Sequence, residues 1–226
     1  MSVSAELWRI ATASTRAAQE AAVPARAAIT NDSGLRDPLT LLVRQLFFPA
    51  TLPSRRHVLF LGADDETGEL DLCETIAVTL AELSESQVAV VGGALLPGSA
   101  KKLPQSIVEA SLWRTHSQRV NNHVWRLPGW LFCDRLAQEF SEQRRPPAEF
   151  RNAFEYFLFS AKPGSSELPI FSAMSDAAVL VVTANRTRRD SALHAKEQLA
   201  RYKVLLLGTV LNDRRFEIPE AIYRRL

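Results

Sequence analysis

The run Gly62-Ala63-Asp64-Asp65-Glu66-Thr67-Gly68-Glu69-Leu70-Asp71 poses a question of phosphate chemistry. A loop that cradles phosphate follows a strand and opens a helix. It reads as a small residue, four residues of any type, then Gly-Lys and a Ser or Thr. Its amides hold phosphate oxygens, its lysine pairs with them and its hydroxyl holds magnesium. Counted from Ala63, Gly68 stands in its place, but Glu69 takes the lysine position and Leu70 the hydroxyl position. Six carboxylates (Asp64, Asp65, Glu66, Glu69, Asp71 and Glu74) lie between Gly62 and Glu74 with no Lys, Arg or His among them. Two like charges about 4 Å apart repel by roughly 4 kcal/mol at an effective dielectric near 20. The loop reads as a phosphate site that has stopped binding phosphate.

The elements needed to position such a loop are legible around it. His57–Gly62 predicts a strand, and Leu72, Ile76, Leu80 and Leu83 give a helix over Leu70–Ser84 its apolar stripe. Further strands are expected at Gln87–Val91, His123–Leu127, Phe154–Ser160, Ala177–Thr183 and Val204–Leu211. Helices are expected at Asp134–Gln143 and Arg188–Arg201, and another opens at Asp37-Pro38, where a cap residue precedes proline. Strand alternating with helix predicts an α/β fold: three layers, doubly wound around a mainly parallel sheet. Residues 1–34 form an Ala-rich N-terminal arm, read as a mobile or docking helical extension, and residues 35–226 form the domain.

Composition sets outer limits. A chain of 226 residues with 46% hydrophobic and 23% charged residues has ample material for a packed core. Its net charge of +2 is too weak to suggest a nucleic-acid partner. Cys73 and Cys133 sit in apolar helical patterns and read as buried thiols of a reducing, cytoplasmic environment. His116 and His123 have no companions at metal-ligand spacing, so no metal site is expected. Trp113, Trp125 and Trp130 read first as core or loop anchors and second as an aromatic interface patch.

Once the strand order is set out, the segment from Asp176 to Val182, Thr187-Arg188-Arg189 and Gly208-Thr209-Val210-Leu211-Asn212 resembles bacterial tyrosine autokinases of the capsular and exopolysaccharide type. These kinases have the MinD/ParA-type P-loop ATPase fold. The resemblance implies three active-site motifs, and each is altered here. In the first, Glu69 and Leu70 replace the lysine and hydroxyl. In the second, Val90-Val91 runs into Gly92-Gly93-Ala94-Leu95-Leu96-Pro97 without the magnesium-side acids. In the third, Phe154-Glu155-Tyr156-Phe157-Leu158-Phe159-Ser160-Ala161-Lys162-Pro163 carries Ser160 where the terminal Asp would be. Asn212 matches the position whose amide reads adenine and stands as a vestigial base contact, or else as a turn residue before Asp213. Tyr223 reads as a packing residue rather than a phosphorylation site.

The resemblance therefore implies a pseudokinase with no catalytic residue, no cofactor and no metal. Its degenerate site positions are Ala63, Gly68, Glu69, Leu70, Gly92 and Ser160. The expected role is binding or regulation in polysaccharide assembly or export, at the inner face of the membrane. Expected partners are a membrane co-polymerase or a homologous active kinase, in a homo- or hetero-oligomer. Two alternatives stay open. One is an ATP- and magnesium-dependent kinase or ATPase with rearranged ligands, for which Lys101, Lys102 and Lys162 are distant cation candidates. The other is a positioning protein of the MinD/ParA kind. Residues 186–226 hold ten Lys/Arg against five Asp/Glu, a local balance of +5 suited to a solvated basic face or to anionic lipid.

Overall fold

Long apolar runs with β-branched residues make strands buried on both faces, and helices must then cover both faces. The computed structural model describes residues 38–50, 54–65, 67–93, 112–132 and 145–212. The elements in chain order are α1 (Pro38–Phe47), β1 (His57–Gly62), α2 (Glu69–Ser84), β2 (Val88–Val91), α3 (Leu112–His116), β3 (Gln118–Arg119) and β4 (Val124–Leu127). There follow α4 (Ala148–Ala153), β5 (Tyr156–Ala161), α5 (Leu168–Met174), β6 (Ala177–Thr183), α6 (Arg189–Arg201) and β7 (Leu206–Asn212). The strands form one seven-stranded sheet in the order β3-β4-β2-β5-β1-β6-β7. Every neighbouring pair is parallel except β3 with β4 at one edge.

Alternation along each strand sorts the core into two layers. Val58, Phe60, Val88, Val90, Leu158, Val179 and Val181 face α1 and α2, against Val43, Phe47, Cys73, Ile76 and Leu80. Leu59, Leu61, Val91, Phe157, Phe159 and Leu180 face the other way, toward Phe132, Phe150, Phe171, Ala195 and Leu199. The architecture is thus the expected three-layer, doubly wound α/β fold. The expected N-terminal arm, the helix over Asp134–Gln143, Cys133, Lys101, Lys102 and Tyr223 lie outside the described residues.

Several boundaries move for local reasons. Phe154 closes α4, its amide bonding the Phe150 carbonyl, so β5 begins two residues later than expected. Lys203 adopts a left-handed φ of 56° and the Val204 amide returns to the Leu199 carbonyl, so β7 also starts late. The short elements α3, α4, α5 and β3 are additions to the sequence reading. Trp113 is buried, edge-to-face with Trp125 at 5.3 Å and with Phe154 at 5.0 Å, so the aromatic group anchors this end of the core.

Candidate functional site

Doubly wound sheets present ligand sites at the carboxyl ends of their strands. β2, β5 and β1 are consecutive in the sheet, so their exits meet at one rim. The three segments that the resemblance aligns with active-site motifs converge there. A Cβ on Gly92, which has φ +153°, would stand 2.7 Å from the Ser160 carbonyl oxygen and 2.9 Å from the Ser160 Cβ. The second and third motif ends are therefore in direct contact, and only glycine leaves room for it. Leu70 Cδ2 lies 2.9 Å from where a Cβ on Gly93 would be, an apolar contact joining the first and second motifs. Ser160 is buried, paired in register with Phe60.

The loop leaves β1 with the Ala63 amide bonded to the Val181 carbonyl at 2.9 Å. It ends at Gly68, in the left-handed conformation (φ 62°, ψ 30°) that lets the chain turn into α2. Glu69 does not reach outward. It is 5% exposed, and its Oε2 accepts the Thr67 hydroxyl at 2.7 Å. Thr67, only 1% exposed, also has its Oγ1 3.1 Å from the Asp64 carbonyl. The Asn212 side-chain amide donates to the Thr67 carbonyl at 2.9 Å, tying the end of β7 to the loop. One N–H of that amide is thus spent on the chain's own backbone.

Two cations reach this acidic stretch from elsewhere in the chain. Arg126 on β4 pairs with Glu74, both side chains partly buried. Lys162, expected to be distant, in fact sits at the lip of the loop: its Nζ donates to the Asp65 carbonyl at 2.8 Å and stands 3.5 Å from Asp65 Oδ1. The parallel pairing of β1 with β5 carries it there, a relation no local spacing reveals. An open groove of about 410 Å³ runs beside the loop, lined by Ala63, Asp64, Asp65, Pro163, Asp190, Ser191 and His194. Sequence reasoning missed Thr67 and the α6 residues of this groove. A buried hydroxyl just before the turn glycine carries no motif signal, and Asp190 and His194 only look like a polar helix face.

Other titratable groups are set by burial. The Cys73 thiol on α2 is pushed well up by burial, with Glu69 and Glu74 adding to the effect, so it is an inert thiol. Burial also raises the Glu167 carboxyl at the start of α5. Among the described residues no group of three or more His, Cys, Asp and Glu is placed to hold a metal ion, and no helix is long and apolar enough to cross a membrane.

The fold and the strand–loop–helix at its rim define a P-loop type α/β domain, and solved structures share that architecture. The kinase domain of Escherichia coli tyrosine kinase ETK is 15% identical, with a TM-score of 0.51 over 72% of this chain and 70% of that one. The chimerical protein CapA2B2 is 15% identical, with a TM-score of 0.58 over 80% and 87%. The BceF tyrosine kinase domain is 14% identical, with a TM-score of 0.53 over 90% and 88%. At such identities the likeness is one of fold: the chain has the fold of bacterial tyrosine kinase domains. No protein-family model and no curated protein matches it.

Proposed function

We propose that this chain is a catalytically degenerate relative of the exopolysaccharide tyrosine autokinases, acting by binding rather than by phosphoryl transfer. The observation that carries the reading is Glu69. At the position where a phosphate loop carries its lysine, a carboxylate turns inward and is buried with the Thr67 hydroxyl. The residues at the rim fit a nucleotide and magnesium poorly. Phosphoryl transfer needs cations and metal-bound oxygen ligands around the transferring group. Here Leu70 is packed over Gly93, while Gly92 and Ser160 bring no carboxylate to the exits of β2 and β5. The role that remains for such a domain is to dock in an assembly. We place it in polysaccharide assembly or export at the inner face of the membrane, with a membrane co-polymerase or a homologous active kinase as partner.

Titration calorimetry with ATP or ADP and magnesium tests this directly. No saturable heat is expected at millimolar nucleotide, and a micromolar Kd sinks the proposal. Co-expression with a homologous tyrosine kinase then tests the role, with co-purification expected through gel filtration.

A second reading has one observation in its favour. Lys162 supplies a cation at the lip of the loop, as an ATPase with rearranged ligands requires. Its partner Asp65 has a 93% exposed side chain, so the pair is a surface contact worth at most about 1 kcal/mol and can be released. If nucleotide does bind in the calorimeter, Lys162→Ala should weaken it at least tenfold under this reading.

A further inference from the structure

The loop contains a feature that loss of phosphate chemistry alone does not require. A Cβ on Gly62 would stand 2.2 Å from Thr67 Oγ1 and 2.8 Å from Glu69 Oε2. Gly62 is not among the residues of positive φ, so its backbone would accept any amino acid. What the glycine provides is room. The Thr67 hydroxyl and the Glu69 carboxylate fill that room directly over the last residue of β1. A buried carboxylate is costly without hydrogen-bond donors, and Thr67 supplies one at 2.7 Å. Thr67 is itself held by Asn212, which lies 145 residues away in sequence at the far end of β7.

We propose that the Thr67–Glu69 pair is a built-in plug that fills the loop over Gly62 and, tied to the end of β7 by Asn212, holds it closed without any ligand. In a loop that grips phosphate, the amides await an external anion. Here an anion from the chain's own α2 is carried inside the turn. A phosphate could enter only by displacing a buried carboxylate together with its hydroxyl partner. The loop is then a permanently closed corner of the fold rather than a nucleotide-gated switch. This deepens the proposed function and rests on its reading that the loop takes no external phosphate. The test uses no nucleotide, so failure of the plug and failure of that reading appear in separate measurements.

The experiment is a stability cycle on the full chain. Gly62→Ala introduces a methyl where the plug sits, and Thr67→Ala with Glu69→Ala removes the plug. In the wild-type background Gly62→Ala should lower Tm by roughly 5 °C or more, given that about 1 kcal/mol corresponds to 2–4 °C for a domain of this size. In the Thr67→Ala/Glu69→Ala background the same change should cost about 1 °C or less, because the space is empty. Equal costs in the two backgrounds overturn the proposal. If Gly62→Ala alone does not fold, the triple variant decides: folding supports the plug, and failure to fold where the double variant folds overturns it. Amide hydrogen exchange adds an independent readout. Thr67→Val should speed exchange in the loop at 63–68 at least tenfold while leaving β1 unchanged, and unchanged loop exchange overturns the proposal.

Discussion

The two rims of the same sheet handle carboxylates in opposite ways. At the amino-terminal rim, Asp176 is half exposed, and its Oδ2 accepts the backbone amides of Arg56 and His57, each at 3.0 Å. The Asp176 amide returns the contact to the His57 carbonyl at 2.8 Å, Arg56 pairs with Glu155 at 3.5 Å, and Ser86 donates to Glu155 at 2.7 Å. This rim is a half-exposed stitch of hydrogen bonds and an ion pair at the starts of β1, β5 and β6. At the carboxyl rim, Glu69 is buried and accepts the Thr67 hydroxyl over a glycine. One rim uses charge in water to fix register. The other keeps charge out of water, in the place where this architecture ordinarily receives a ligand. A carboxylate therefore gains its meaning from the surface it faces, not from its position in an acidic run.

That contrast can be broken most forcefully at Gly92. Gly92→Ala places a methyl against the Ser160 carbonyl, and φ of +153° penalises any side chain. A loss of about 2–3 kcal/mol is expected, read as a lower denaturant midpoint with unchanged m. A neutral result would mean that the carboxyl rim is looser than the close approach of β2 and β5 implies.

A smaller effect is expected at the opposite rim. Asp176→Ala removes an acceptor shared by two amides, but water can replace it at a half-exposed site, so about 1–2 kcal/mol should be lost. Asp176→Asn, which keeps an acceptor oxygen, should recover at least half. If both variants cost as much as Gly92→Ala, the two rims do not differ as described.

The smallest effect concerns pH. His57 is held below the ordinary imidazole value of 6.5 chiefly by burial, opposed by Asp176 and reinforced by Arg145, Arg151 and Arg56. Its ring also stands edge-on to Phe157 at 5.5 Å. The unfolded chain thus binds this proton more readily than the folded one. Its contribution to stability is complete above pH 6.5 and declines as pH falls from there through the lowered folded value. Tm should fall modestly over that window, and His57→Gln should flatten the decline. An identical slope in the variant would assign the pH response to other groups.

Legibility followed the range of the interactions. β1 and β6 match their expected limits, because strands buried on both faces are continuous apolar runs with clear ends. The helix expected from Leu70 starts at Glu69, one residue earlier. Of its expected stripe Ile76 and Leu80 are buried and Leu72 is half-buried. Leu83 is exposed, and Cys73, Ala77 and Ala81 complete the buried face instead. The short elements α4 and α5, with six and seven residues, are too brief for periodicity to register. At the site, loop spacing singled out Glu69 and Leu70, the family resemblance added Gly92 and Ser160, and strand order brought them to one rim. The contacts of Lys162 with Asp65 and of Arg126 with Glu74 span 97 and 52 residues, so the apparent absence of cations around the acidic run held only along the chain.

The chain alone set the alternation of elements, the two-layered core and the place of Glu69 directly after the turn glycine. Each is a local pattern, set by side-chain period or by position relative to a turn glycine. Folding settled which way Glu69 points, that Thr67 meets it and that Asn212 bonds the Thr67 carbonyl. Those choices depend on the space above Gly62 and on the arrival of β7 from 145 residues away. A buried carboxylate is stable only where packing delivers a donor to it, and packing is a property of the folded sheet.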